Sequence, residues 1–340
     1  MAMDLVEYCF EMQWSDGLPV IPPTRHRVEE MLGFLLDSKD YVVATMQPSG
    51  ARDTRELIAA NAVMAGCTSA YFPVVEAAIE AISDPGFNLD RVATTASSQV
   101  PIFVVNGPLA SDVGLEGAWE VLSGSSRSSA TIGRAAMLCL RNIASHTSGG
   151  MPHSTIGSPM SRGLCFTENI IDSPWDSWHI AEGFGAEESW VSAFAADPPV
   201  VLTEMGDTRP ESIIETVAEG IALAGTYNAF FRSDLWLILS PQHASVFDEA
   251  GWNRDDVVSA LVESSARNPQ DLVGRGLYGY VDQLRPPVWL EQSARVTMVD
   301  RHDRVKIFVA GGQFGGYTAV FFGQGETITK RVRRVQPNGS

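Results

Sequence analysis

The sequence has few basic residues, few cysteines and no long apolar run. Of its 340 residues, 24 are Lys or Arg and 41 are Asp or Glu, which gives a formal net charge of −17. Because such a surface repels phosphate groups, we expect no nucleic acid and no membrane among the partners. Every apolar run is shorter than the roughly 18 residues that a membrane span needs. The sequence therefore favours a soluble protein.

The few cysteines argue against a disulfide scaffold. Cys9, Cys67, Cys139 and Cys165 form no CxxC pair and no dense framework. This spacing favours free thiols in a reducing compartment. The first residues, MAMDLVEYCFEMQW, lack the cationic start and apolar stretch of a signal peptide. We accordingly expect a cytoplasmic protein.

Cofactor motifs are missing from the candidate site segments. The loop SGSSRSS has neither the GxxxxGK[ST] spacing of a nucleotide site nor the GxGxxG spacing of a dinucleotide site, and the histidines show no HExxH metal motif. We expect no cofactor and no metal, and we keep a metal-assisted reaction as an alternative.

Alternating helical and apolar strand patterns indicate the fold class. Hydrophobic residues make up 45% of the chain, enough for a large core, and 340 residues exceed one average domain. We predict an α/β fold of two interlocked lobes with mostly parallel or mixed sheets. Residues 1–190 would form the first lobe, which carries the candidate site loops, and residues 191–340 the second, which ends in antiparallel strands. The likeness of VPIFVVNGP to DLWLILSP is consistent with a weak internal duplication.

Local patterns place the individual elements. We predict helices over residues 3–14, 53–66 and 71–82 and over the segments VEEMLGFLL, ATIGRAAMLCLRNIA, ESIIETVAEGIALAG and NRDDVVSALVESSARN. Gly66 suits the end of the second of these helices. We predict strands over YVVATM, VPIFVVNGP, DLWLILSP, RVTMV, VKIFVAGG, TAVFFG and TITKRV. VPIFVVNGP has the composition of a buried parallel strand.

Cys67 is the first candidate for a catalytic residue. It lies between two predicted helices, near the expected N-terminus of the second. The unpaired N–H groups there would make its thiol more acidic and so reactive. The alternative is a small residue that fills a tight corner between the helices, which Ala65 and Gly66 favour. Cys9 and Cys139 lie in amphipathic runs and are expected in the core.

The loop SGSSRSS, residues 123–129, runs into a predicted helix and is the second candidate. Small residues, the hydroxyls of Ser125 and Ser126, the charge of Arg127 and a helix N-terminus together are typical of an anion-binding site. Arg134, on the helix that follows, would help to position a carboxylate. A serine-rich helix cap is the alternative interpretation.

The third candidate is the segment of residues 150–169. It gathers His153, Ser154, Arg162, Cys165 and Glu168, and a few residues on, SPWDSWH adds His179 with two tryptophans. His and Glu side chains on a long loop are typical of acid–base catalysis, in which Glu168 would orient a histidine base and Arg162 would bind substrate. Alternatively, His153, Glu168 and His179 would be the ligands of a metal ion. A further alternative is that the segment is a surface loop with a structural role only.

Two polar residues follow apolar strands. Asn106 ends VPIFVVN, and His243 comes shortly after DLWLILS. Ligands bind at the carboxyl ends of parallel strands in open α/β sheets, so both residues are candidate substrate ligands. A capping role is the alternative for each.

Several blocks resemble a known family. The segments WSDGLPVIPPT, NAVMAGCTSAYFPVV, VVNGPLA, SSATIGRAAMLCLRNI and CFTEN with SPWDSWH are similar to those of uncharacterised, mostly environmental bacterial proteins associated with the UGSC (seleno)protein group. The resemblance covers residues 10–190. It implies thiol or selenol chemistry, with Cys67 as the position of interest. The chain contains no UGSC or CGSC tetrapeptide.

These features favour an enzyme. We expect thiol or acid–base chemistry of the lyase or hydrolase type on a small polar or anionic organic substrate. The alternatives are the metal-assisted reaction and a binding or assembly subunit without chemistry of its own. Apolar residues on predicted helix faces and 8 tryptophans lead us to expect a homo-oligomer.

Overall fold

A computed structural model describes residues 4–144, 154–206, 209–223, 225–231, 233–277, 295–299 and 301–333. The helices are α1 (Leu5–Glu11), α2 (Arg25–Leu32), α3 (Arg55–Ala65), α4 (Phe72–Ile82), α5 (Leu89–Thr94), α6 (Pro108–Asp112), α7 (Arg127–Cys139), α8 (Trp178–Ala181), α9 (Pro210–Ile221), α10 (Asn228–Phe231), α11 (Pro241–Glu249) and α12 (Arg254–Ser264). The strands are β1 (Val42–Met46), β2 (Ala51–Thr54), β3 (Val100–Asn106), β4 (Leu164–Phe166), β5 (Trp190–Ala196), β6 (Val200–Thr203), β7 (Leu235–Leu239), β8 (Val305–Val309), β9 (Tyr317–Phe321) and β10 (Gly323–Arg331).

The strands form three sheets. β1 and β2 pair antiparallel, and the two larger sheets have the orders β10-β5-β3-β4 and β6-β9-β7-β8. β3 is parallel to β4 and β7 to β8, whereas β9 is antiparallel to both β6 and β7. The predicted α/β class with mixed sheets is confirmed. All seven residues of β3 are buried, as expected for a parallel strand covered on both faces.

The chain divides into two compact units whose sequence ranges interleave. The first unit takes its described residues from 1–167, 182–195 and 327–340. The second takes them from 168–181 and 196–326. The apolar core of the second contains side chains of β7, α9 and α12, among them Leu237, Ile213 and Leu261. Each such buried side chain stabilises the fold by about 2 kcal/mol relative to an exposed one.

Two glycines let helix α7 lie against strand β4 in the first unit. A Cβ on Gly163 would come within 2.1 Å of the Gly133 carbonyl carbon, and Gly163 has φ +102°. A Cβ on Gly133 would come within 2.8 Å of the Leu164 nitrogen. Only hydrogen fits at either position. This close approach sets the position of α7, whose first residue is Arg127.

Some local predictions need correction. The segment RVTMV forms no strand, because Val296 makes only an isolated antiparallel bridge to Arg267. The strands β2, β4 and β6, of three or four residues each, and the seven-residue strand β5 are not among the predicted strands. α7 begins at Arg127, earlier than the expected ATIGR start, and a π-helical turn continues it over Leu140–Ala144. In the described part of the chain, no helix has both the length and the apolarity needed to cross a membrane.

Candidate functional site

A cavity of about 400 Å³ opens beside Cys67 in the first unit. Helix α2, the end of α3 and the start of α7 contribute to its walls. Its lining residues are Ile21, Arg27, Glu30, Met31, Val63, Cys67, Thr68, Ser69 and Arg127. This volume is in the range of small-molecule sites.

The end of helix α3 positions Cys67. Gly66 ends this helix in the left-handed conformation, with φ 97°, as the sequence predicted. The N–H of Gly66 donates to the Val63 carbonyl and that of Cys67 to the Ala62 carbonyl, both at 3.0 Å, which is the Schellman arrangement. A separate 3₁₀ turn, Ser69–Tyr71, precedes α4. Cys67 therefore lies at the carbonyl end of α3, where the helix dipole does not stabilise a thiolate.

Burial raises the pKa of the Cys67 thiol from 9.0 to about 11, although the contact with Thr131 and the charge of Arg127 lower it in part. The thiol donates to the Thr131 carbonyl oxygen at 3.4 Å, and the side chain is 7% exposed. The prediction of an acidic thiol is therefore wrong. At neutral pH the sulfur carries its proton, and any reaction through the thiolate requires that the proton be removed first.

Arg127 brings a positive charge to the same cavity. It is the first residue of α7, and its Nε and Nη2 donate to the Gly66 carbonyl oxygen at 3.0 and 2.9 Å. A cation at the carbonyl end of α3 is favourable because it offsets the negative end of the helix dipole. The side chain thus joins the start of α7 to the end of α3, next to Cys67.

The serines of the predicted anion loop have partners inside the protein. Ser126 caps α7, and its hydroxyl accepts the Ser129 N–H at 3.1 Å. Ser128 donates to the Gly114 carbonyl at 2.6 Å, and Ser125 donates to the Trp119 carbonyl at 3.4 Å. None of the three lines the cavity beside Cys67. These hydroxyls hold the loop that precedes α7.

Arg27 and Glu30 line the cavity but are not among the residues that the sequence predicts for a site. They lie on α2 with Met31 at i, i+3 and i+4 spacing, so they share one face of that helix. Arg27 also donates to the Pro22 carbonyl at 3.2 Å. The i, i+3 spacing of Arg27 and Glu30 is a signal in the sequence that could have indicated a polar face of α2. The opposite wall, formed by α3 and α7, comes only from long-range packing.

The two other predicted arginines lie away from this cavity. The Nε and Nη2 of Arg134 donate to the two carboxylate oxygens of Asp16 at 2.8 and 2.7 Å. Its Nη2 also donates to the Pro19 carbonyl at 3.1 Å, so Arg134 ties the proline-rich segment to α7. Arg162 ends a 3₁₀ turn and lines a different cavity, described below.

Glu168 belongs to the second unit and holds backbone in place there. Its Oε2 accepts the Trp178 N–H at 2.7 Å, and its Oε1 accepts the Val309 N–H at 3.2 Å. Oε1 also lies 3.7 Å from Nη2 of Arg254. The side chain is almost fully buried, so its charge is compensated by these donors. The carboxylate links the end of β8 to the start of α8.

Both described histidines of the predicted site are buried in the second unit. His179 is 3% exposed, with its Nδ1 2.8 Å from the Ser177 hydroxyl. His243 has Nδ1 2.8 Å from the Thr318 hydroxyl and Nε2 3.0 Å from the Glu204 carbonyl. Burial lowers the pKa of each imidazole, so both are neutral near pH 7. Since a carbonyl only accepts, His243 donates from Nε2 and joins α11 to the segment after β6.

Of the predicted residues, the structure brings Cys67 and Arg127 together at one cavity. Asn106 is buried at the end of β3. Glu168, His179 and His243 belong to the second unit, and His153 lies outside the described residues. Among the described residues, no group of three or more His, Cys, Asp or Glu side chains is arranged to hold a metal ion.

Comparison with known proteins adds no assignment. No protein-family model, no curated protein and no solved structure matches this chain.

Proposed function

We propose that the chain is an enzyme for a small organic anion, which binds in the cavity beside Cys67. One observation carries the proposal: a thiol, two guanidinium groups and the hydroxyl side chains of Thr68 and Ser69 line the same cavity of about 400 Å³. Two arginines are the groups best suited to hold a carboxylate. The net charge of −17 repels anions from the protein as a whole, so the two guanidinium groups are needed to make this cavity attractive to an anion.

Cys67 would supply the chemistry, in a reaction of the hydrolase or lyase type. In the hydrolase version, the Cys67 sulfur bonds to an electrophilic carbonyl carbon, and its proton passes to a base or to water. The leaving group departs with the electron pair of its bond. Water then cleaves the thioester and restores the thiol. Arg27 and Arg127 hold the carboxylate of the substrate. Glu30, whose Oε1 lies 3.2 Å from His26 Nε2, is the carboxylate in the cavity lining that would take the proton.

The raised pKa of Cys67 favours a second candidate function, a binding subunit without chemistry. At about pH 8, a thiol with a pKa of about 11 is ionised in about one molecule in a thousand. In this version the cavity binds the anion and the thiol only fills its wall.

Alkylation tests both versions, because iodoacetate is itself a small carboxylate with an electrophilic carbon. The thiolate sulfur displaces iodide, so the modified residue is identified by peptide mass spectrometry. If the arginines hold anions, iodoacetate will modify Cys67 faster relative to neutral iodoacetamide than it modifies glutathione. The Arg127→Gln variant will reduce this preference by about tenfold.

The chain offers matched controls. Arg25→Gln removes a charge from α2 whose side chain is 92% exposed and paired with Glu29. Arg25→Gln should leave the preference of Cys67 for iodoacetate unchanged, whereas Arg127→Gln should reduce it. Cys9, Cys139 and Cys165 are at most 1% exposed and serve as internal references in the same digest. A Cys67 that shows the iodoacetate preference of glutathione would overturn the enzyme proposal. Saturable binding of a small carboxylate in titration calorimetry, by a protein whose Cys67 is not alkylated, would support the binding subunit.

A further inference from the structure

A second cavity, of about 480 Å³, lies in the first unit near the end of α7. Arg141 and Arg162 both line it, together with the serines Ser158 and Ser161. Arg141 stands on the π-helical turn that follows α7, and Arg162 ends the 3₁₀ turn Pro159–Arg162. Two separate segments thus each contribute a guanidinium to one cavity.

The charge of this cavity is uncompensated by the described residues. Neither Arg141 nor Arg162 makes an ion pair or hydrogen bond with any residue in the described part of the chain. Asp16 is the carboxylate on the wall, but both of its oxygens accept from Arg134, at 2.7 and 2.8 Å. Arginines elsewhere, such as Arg55 and Arg304, are paired with carboxylates. In an acidic protein, two cations left on one cavity wall attract an anion.

This cavity is separate from the one beside Cys67. Arg127 and Arg141 are fourteen positions apart on the same helical segment, so their backbones are about 20 Å apart at a rise of ~1.5 Å per residue. The two lining sets share no residue. Met137, one turn before Arg141, adds apolar surface to the second cavity, because residues at i and i+4 share a helix face. A π-helical turn is uncommon and often marks a functional site.

We propose that this cavity is a binding site for a small organic dianion of the phosphate monoester class. Arg141 and Arg162 supply donors in the fork geometry that matches phosphate oxygens, and Ser161 adds a hydroxyl. A phosphate monoester presents three terminal oxygens, one more than a carboxylate. It can therefore accept hydrogen bonds from both guanidinium groups and from the serine hydroxyl at the same time. Met137 and Ile156 contact the organic part.

The test measures binding of inorganic phosphate by titration calorimetry, at constant ionic strength set with sodium chloride so that screening does not change. Wild-type protein should show saturable binding. Arg141→Gln and Arg162→Gln should each weaken it by about tenfold or more, the effect expected for one charged hydrogen-bonding group. Both side chains belong to exposed residues, so the variants should keep the wild-type melting temperature.

Two variants locate the binding. Arg25→Gln should bind phosphate as wild type does, because Arg25 lines neither cavity, and Arg127→Gln should keep the binding that Arg141→Gln and Arg162→Gln lose. Absence of saturable phosphate binding, unchanged affinity in Arg162→Gln, or a loss in Arg127→Gln alone would each overturn the proposal. Binding of succinate without binding of phosphate would also overturn the assigned ligand class. The alkylation preference of Cys67 is independent of these results, since Arg162→Gln leaves the first cavity intact.

Discussion

Asp53 offers the sharpest test of the fold's electrostatics. It is 0% exposed on strand β2, and neither carboxyl oxygen has a hydrogen-bond partner among the described residues. Burial raises its pKa from 3.8 to about 7. The folded protein therefore keeps the proton on Asp53 at pH values where the unfolded chain has already lost it.

The sign of the effect follows from this difference. A carboxyl whose pKa is raised by folding costs no stability below 3.8, the value in the unfolded chain, and an increasing amount as the pH rises to about 7. Above that pH the cost is constant. Raising the pKa from 3.8 to about 7 corresponds to about 4 kcal/mol, which is an upper bound on the cost.

Asp53→Asn removes the titration while it keeps the size and polarity of the side chain. We expect the variant to be more stable than wild type by about 2–4 kcal/mol near pH 8 and by little near pH 4. Urea unfolding at several pH values, followed by circular dichroism, measures the difference. Asp84→Asn is the contrasting control, because the hydrogen bond from Lys330 lowers the pKa of Asp84. That variant should lose stability near neutral pH.

If the free energy of unfolding of Asp53→Asn differed from that of wild type by the same amount at every pH, the reasoning would be refuted. That result would mean that the Asp53 carboxyl is compensated by a donor or a cation, and that its charge is not buried alone.

Two further predictions concern a close backbone contact and a buried carboxylate. Gly163→Ala should destabilise the protein by about 3 kcal/mol or more, because its Cβ would come within 2.1 Å of the Gly133 backbone. Gly157→Ala is the control: this position also has a positive φ, but a Cβ there would meet nothing within 4 Å, so the variant should lose only about 1 kcal/mol. Thermal melting of both variants checks this, and equal losses would contradict the close approach of α7 to β4. Glu168→Gln should lower the free energy of unfolding in urea by about 3 kcal/mol, because it removes the negative charge that faces Arg254 and two backbone N–H groups. Glu249→Gln, at an exposed position, is the control and should change the free energy of unfolding little.

Patterns local to the sequence predicted the helices of eleven or more residues, although they missed the seven-residue strand β5. The alternation of helical and apolar strand segments predicted the α/β class, and the run VPIFVVN predicted a buried parallel strand. Gly66 ends α3 as expected, because only glycine adopts the left-handed conformation there without strain. Short strands such as β4, with three residues, carry too little periodicity to be recognised before their partners are known.

The chemical environment of each candidate depends on contacts between distant residues. The sequence placed Cys67 near a helix N-terminus and predicted an acidic thiol. In the structure it follows the carbonyl end of α3 and is buried against Thr131, sixty-four positions away, which raises its pKa. Glu168 was predicted as a catalytic carboxylate, and its described bonds go to the backbone of Trp178 and Val309. Burial is a property of the packed chain and cannot be read from neighbouring residues.

The sequence by itself determined the class of fold, the sites of helix capping and the excess of negative charge, because these depend on composition and on neighbours a few positions apart. Tertiary structure alone decided which charges meet. It placed Arg27 of α2 and Arg127 of α7 around one cavity with Cys67, and Arg141 and Arg162 around another. The physical reason is that a cavity is the space left between packed elements, and its lining exists only once helices distant in sequence are in contact.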